Sequence, residues 1–273
     1  MKNMNIELLE AVTAILRAGG IEDAGLEAKW ILEDAGTPEQ AREIAQRRAK
    51  HEPLQFLLGK WEFYGMQFYV GEGVLIPRAD TETLVDAVLA GKQQLPEKPA
   101  AVDLCTGSGC IALALKRHLP QLAVTGIDSS EKALGYAKRN AGYNRLAVQW
   151  LCDDVLAPKH SFAMLDLIVC NPPYLTADEM EQLQTEVRYE PREALFGGAD
   201  GLDFYRQITA VWRDALRHGG MLAYEVGFSQ ADAVAEILSE NGFSGIEKHR
   251  DYNGVERVVL GRRCSAGLHG ITA

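Results

Sequence analysis

No apolar run in this chain approaches the roughly 20 residues that a helix needs to cross a bilayer. Its first residues, MKNMNIELLEAV, lack the apolar core of a secretory leader. A cytoplasmic protein with no membrane partner is therefore expected. The five cysteines, at 105, 110, 152, 170 and 264, contain no Cys-x-x-Cys pair, and their odd number leaves no closed disulfide framework. Neither that pattern nor the histidines indicate a structural zinc site, which needs ligands at short spacings. The six histidines are scattered at 51, 118, 160, 218, 249 and 269, and no Ser/His/Asp set stands out. Internal repeats and low-complexity tracts are missing. So is a surplus of positive charge: 28 Lys and Arg face 38 Asp and Glu, a formal net charge of −10. A protein that grips phosphate backbones needs a cationic surface, which this chain could build only locally, against its own field. Direct nucleic-acid binding is not expected; a protein or small-molecule partner is.

What is present is ordinary globular material, 47% apolar and 24% charged. Residues 1 to about 55 read as short helices. Ile6, Leu9, Val12, Ile15 and Leu16 recur at helical spacing until Gly19-Gly20. Leu26, Trp30 and Ile31 are expected on the apolar side of a second helix over 22–35. Thr37-Pro38 with Gln40 three residues after Thr37 has the form of a capping box opening a third helix. The basic stretch Arg42–Lys50 reads as a solvated face. Residues 60–76, KWEFYGMQFYVGEGVLI, are aromatic and β-branched with interspersed glycines, which predicts a hairpin. A helix to about Leu89 and a polar connector over 92–99 follow.

From Ala100 apolar strands alternate with helical stretches: 101–105, 123–128, 148–153, 165–171 and 221–226. That alternation predicts a parallel sheet covered on both faces. Two last strands, about 245–252 and 256–261, flank Tyr252-Asn253-Gly254 and are expected to pair antiparallel. The boundaries expected are 1–58 for the helical domain, 59–99 for hairpin and linker, 100–263 for the α/β domain and 264–273 for a flexible tail.

Three motifs carry chemistry. Asp103-Leu104-Cys105-Thr106-Gly107-Ser108-Gly109-Cys110 leaves a strand and enters a helix. Small residues there allow a ligand to approach the backbone, and the helix start offers unpaired amides. A tight strand-to-helix turn is the plainer reading of the same residues. Asp128 ends the next strand, where a carboxylate can accept both hydroxyls of a ribose or else cap the following helix. Asp153-Asp154 closes the third strand, as a partner for an adenine amino group or as a solvated turn. The most specific motif is Asn171-Pro172-Pro173-Tyr174 after the strand LDLIVC. Its prolines remove two donors and stiffen the loop. Its carbonyls and the Asn171 side chain accept, and Tyr174 adds a flat ring. Two acceptors and a ring suit a planar amino group conjugated to a π-system, either an amide or a nucleobase amine. Such a nitrogen is a poor nucleophile, and holding it in line with an electrophile supplies much of the catalysis. The electrophile implied is the sulfonium methyl of S-adenosylmethionine, leaving S-adenosylhomocysteine.

Over about residues 45–262 the chain resembles the HemK/PrmC family of peptide chain release factor N(5)-glutamine methyltransferases. The resemblance rests on RRAKHEPLQFLLGKWEFYG, LIPRADTE, DLCTGSGCIALAL, NPPY with RYEPREALFGGADGLDFYR behind it, and RDYNGVERVVLGR. NPPY alone is shared with adenine-N6 methyltransferases of nucleic acids, the alternative function. The resemblance implies a seven-stranded, mostly parallel Rossmann-like methyltransferase sheet behind a small helical substrate-recognition domain, joined by the β-hairpin. It implies methylation of the glutamine of Gly-Gly-Gln in class I release factors. A monomer is expected. Carried over by position, Cys105, Thr106, Gly107, Ser108 and Gly109 with Asp128, Asp153 and Asp154 would line the S-adenosylmethionine site. Asn171, Pro172, Pro173 and Tyr174 would hold the glutamine amide, with Asn171 also near the cofactor. Arg78, Thr81 and Glu82 would border the same pocket. Two departures are visible: Ala79 replaces the second proline of the family's PRPDTE, and Cys105 stands where many members have glycine. Because a left-handed cysteine costs roughly 1 kcal/mol or more, an ordinary backbone is expected at 105.

Overall fold

The structure is a computed structural model that describes residues 2–265, with side chains from residue 6 onward. The tail expected over 264–273 lies outside the described residues from 266 on. Four helices open the chain: α1 (Lys2–Ala18), α2 (Ala24–Asp34), α3 (Pro38–Arg48) and α4 (Leu54–Leu58). They share a core of their own around Val12, Leu16, Ala28, Ile31, Ala41 and Ala45. α4 escaped the sequence reading because five residues are too few to show a period. Thr37 caps α3 by accepting from Gln40 N, while the Gln40 side chain turns back to Gly36 N rather than to Thr37. The apolar side expected for α2 needs correction. Ala24, Ala28 and Ile31 face the bundle, whereas Leu26 and Trp30 point outward. Small alanines let α2 approach its neighbours closely. Trp30 instead packs edge-on against Trp61, with ring centroids 5.8 Å apart.

Trp61 belongs to the expected hairpin, β1 (Lys60–Phe63) and β2 (Met66–Tyr69). Tyr64 and Gly65 between them both have positive φ, as a two-residue turn matched to strand twist requires. Phe63, Met66 and Phe68 are buried against the large domain. The hairpin thus faces the bundle with one side and the sheet's helices with the other.

The large domain runs α5 (Glu82–Ala90), β3 (Ala100–Leu104), α6 (Cys110–His118), β4 (Ala123–Asp128), α7 (Glu131–Asn144), β5 (Gln149–Cys152), β6 (Leu165–Cys170), α8 (Ala177–Glu181), α9 (Asp203–Trp212), β7 (Leu216–Glu225), α10 (Ala231–Glu240), β8 (Phe243–Arg250) and β9 (Glu256–Arg263). Its seven strands lie in the order β5-β4-β3-β6-β7-β9-β8. The pairings from β5 through β7 are parallel, and β9 runs antiparallel to both β7 and β8. The seven-stranded, mostly parallel sheet expected is the one observed. α5, α6 and α7 cover one face of it, and α9 and α10 the other. After β5 the chain returns across β3 to form β6, so the strand order reverses between β3 and β6. In such sheets ligands bind at that reversal, beyond the carboxyl ends of the strands. Cys105 and Asn171 stand there.

Candidate active site

Two cavities open over the carboxyl ends of β3, β4 and β6. The first has a volume of about 300 Å³, and the second about 370 Å³. Leu75, Arg78, Asn171 and Ala194 line both, so the cavities meet at Asn171.

The loop after β3 floors the first cavity. Cys105, Gly107 and Gly109 have φ of 56°, 55° and 79°, all left-handed. The ordinary backbone expected at Cys105 is therefore corrected. The neighbouring residue imposes the turn. Thr106 N donates to Ile127 O at 3.0 Å, and Thr106 Oγ1 donates to Asp103 Oδ2 at 2.5 Å. With Thr106 held on both sides, Cys105 must take the left-handed turn, at about 1–2 kcal/mol. A Cβ on Gly107 would meet only Val74 and Cys105 O at 3.9–4.0 Å, so that glycine keeps open the space through which a ligand reaches the backbone. A Cβ on Gly109 would lie 2.7 Å from Trp150, so Gly109 serves packing and the start of α6 and does not line the cavity. Asp103 is fully buried with Oδ1 unpaired, and burial pushes its carboxyl up to about 7 against the Thr106 hydroxyl and the Ala112 amide.

Asp128 lines the first cavity. Its Oδ2 accepts from Gly107 N at 2.8 Å and its Oδ1 from Ser130 N at 2.9 Å. Ser130, not Asp128, caps α7. These amides still leave the carboxylate a lone pair for a ligand's donor. Burial raises this carboxyl above its usual range, and the amides of Ser130, Gly107 and Ser129 oppose that. Asp154 also lines the cavity, whereas Asp153 does not and is corrected. Asp153 turns inward to accept from the amides of Asp154, Lys159 and His160 and from the His160 ring, binding the loop after β5.

Asn171 follows β6. Its Nδ2 donates to Thr81 Oγ1 at 3.4 Å, which turns Oδ1 the other way. Pro173 lines the first cavity and Tyr174 the second, while Pro172 is buried and lines neither. The loop is braced from behind. Gly197 lies so close that a Cβ there would sit 2.6 Å from Tyr174 Cα, and Gln230 Nε2 donates to Tyr174 O at 2.9 Å. Arg78 and Thr81 lie at the site as expected, but Glu82 does not. Its carboxylate accepts from Tyr64 N at 2.6 Å and fastens α5 to the hairpin turn.

Two acids escaped the sequence reading. Glu190 holds the segment before α5 in place, pairing with Arg78 and accepting from Ile76 N at 3.0 Å. Glu225 ends β7 and lines the second cavity. A carboxylate closing the apolar run MLAYE was the available signal.

The Methyltransferase small domain family matches residues 81–198. A release factor glutamine methyltransferase of Geobacter sulfurreducens is 40% identical over 94% of this chain and 95% of its own. The chain belongs to the release factor glutamine methyltransferase family. A second member, from Fusobacterium nucleatum, is 35% identical over 96% of this chain and 80% of its own. A solved methyltransferase from Pyrococcus furiosus shares the fold, with a TM-score of 0.55 at 18% identity over 74% of this chain and 91% of that one. Among the described residues no helix is long and apolar enough to cross a membrane.

Proposed function

We propose that this protein transfers a methyl group from S-adenosylmethionine to the side-chain amide nitrogen of a glutamine in class I release factors, the glutamine of Gly-Gly-Gln. Family membership supports the reaction, and the observation that carries it to these residues is the meeting of two cavities at Asn171. The first cavity fits the cofactor: a glycine edge open to a ligand, the Asp128 carboxylate for ribose hydroxyls, Asp154 beside it, and apolar walls at Val74, Leu156 and Phe204. When bound, the cofactor supplies an electrophilic methyl on a positively charged sulfur.

The residues of the chain do the rest. An amide nitrogen is planar and weakly nucleophilic. Asn171 Oδ1, where the two cavities meet, accepts an N–H group and directs the nitrogen's face along the line of attack. Thr81 keeps the Asn171 side chain from rotating. Tyr174 lends a flat face to the carboxamide in the second cavity. The helical domain, 1–58, supplies docking surface for the protein substrate. A specific protein interface generally needs about 800 Å² per partner, more than a pocket rim offers.

The test offers the enzyme labelled cofactor with three acceptors: a class I release factor, the same factor with its Gly-Gly-Gln glutamine changed to alanine, and DNA. Label is expected in the first alone. Label in the alanine variant or in DNA, with none requiring the glutamine, would refute the assignment and favour the adenine-N6 reading.

A further inference from the structure

Glu225 follows Tyr224, which pairs with Cys170 across β7 and β6, so Glu225 and Asn171 leave adjacent strands side by side. Glu225 is 2% exposed and its Oε2 has no hydrogen-bond partner. It lines the second cavity. An apolar residue would close β7 at lower cost, because a buried acceptor without a donor forfeits its hydration. The missing donor is explained if it arrives with the substrate. The Asn171 side-chain carbonyl oxygen can hold an N–H but is too weakly basic to keep its proton. Once the nitrogen bears a methyl and two hydrogens, one proton must go to a base. The other acid lining this cavity, Glu179, is engaged at the start of α8, where its side chain accepts from Thr176 N.

We propose that Glu225, which lines the second cavity beside Asn171, is the base that receives the glutamine amide proton on its side-chain carboxylate during methyl transfer. The inference rests on the release factor reading above. The nitrogen forms its bond to the methyl carbon as the methyl–sulfur bond breaks with its pair going to sulfur, and one N–H bond breaks with its electron pair left on nitrogen. An O–H bond forms on the Glu225 carboxylate. The product is a neutral planar amide with one hydrogen and one methyl. The proton passes to water as product leaves, so one proton is released for each methyl transferred, matching the positive charge lost from sulfur.

The surroundings suit the task. Burial pushes the Glu225 carboxyl up to about 7, while the Thr81 hydroxyl and the charges of Arg257 and Arg78 draw it back and Asp80 adds to the rise. Tyr205 donates to the Glu225 backbone carbonyl at 2.9 Å, and the Tyr174 and Cys110 groups, raised mainly by burial, also feel the Glu225 charge. A base poised near the working pH serves proton transfer best.

Single-turnover methylation of a Gly-Gly-Gln peptide at saturating cofactor tests the step in wild type and Glu225→Gln, with calorimetric titration of cofactor and peptide alongside. The variant is expected to bind both within about threefold of wild type and to lose on the order of 100-fold in rate. The wild-type rate should climb with pH and level off above about 7, where the carboxylate predominates, and the variant should be flat. A variant rate within about threefold of wild type would overturn the proposal. A flat wild-type profile would do the same without any mutation, and loss of cofactor affinity in the variant would make Glu225 structural. A wild type that methylates release factor but not through Glu225 leaves the proposed function standing, whereas an inert wild type removes both.

Discussion

Cys105 shows how one residue's backbone is decided elsewhere. Its left-handed conformation follows from Thr106, clamped between Ile127 O and Asp103 Oδ2. Neither partner is visible as such in the string Thr-Gly-Ser-Gly, which is why the turn was legible and its first residue was not. β-branched side chains tolerate this region worst. Cys105→Val should therefore lower stability by about 1–2 kcal/mol relative to Cys105→Gly, read from urea midpoints. Equal midpoints would mean that the loop relaxes. Asp128 was legible in position but ambiguous in role, and the Ser130 cap resolves half of that ambiguity. Asp128→Ala should weaken cofactor binding by about 1–3 kcal/mol, the scale of hydrogen bonds to a charged group. Unchanged affinity in a calorimetric titration, with only the melting temperature lowered, would reduce Asp128 to a brace for Gly107.

At the scale of elements, the central strands were legible because burial on both faces leaves an apolar run, as in β6, where all six residues are buried. The faces of the first helices were less so. Trp30 looked like core and is instead the contact to the hairpin. Arg48 looked solvated and is buried, pairing with Glu27 at 2.7 Å and with Glu186 at 2.9 Å. Glu186 also meets His51. Burial alone would raise the Glu186 carboxyl, but the His51 and Arg48 hydrogen bonds together outweigh it and bring it down to about 2. These partners lie far apart in the chain, and no local pattern announces them. They clasp the helical bundle to the segment before Glu190, which in turn holds Arg78. Glu186→Ala should loosen that clasp and raise KM for intact release factor several-fold, with little change in turnover of a short peptide. If both substrates respond alike, the bundle is not acting through recognition.

For the whole molecule, alternation of strand and helix foretold a parallel sheet, and the reversal of strand order between β3 and β6 puts the cofactor loop beside Asn171. The motifs were legible because each is local. Their convergence was not, because the pairing of Leu104 with Cys170 that sets the two loops side by side is a property of the sheet. The second cavity was hidden for the same reason: Leu75, Tyr174, Leu195 and Glu225 come from four separate segments. On the proposed mechanism two ligands approach Asn171 from two cavities, and its side chain aligns the acceptor nitrogen. The most direct measurement is single-turnover methylation by Asn171→Ala, with cofactor affinity titrated on the same sample. Misalignment can cost on the order of 100-fold, so at least that loss in rate is expected, with cofactor affinity largely intact. A near-normal rate would contradict it, and so would a loss of activity explained entirely by lost cofactor binding.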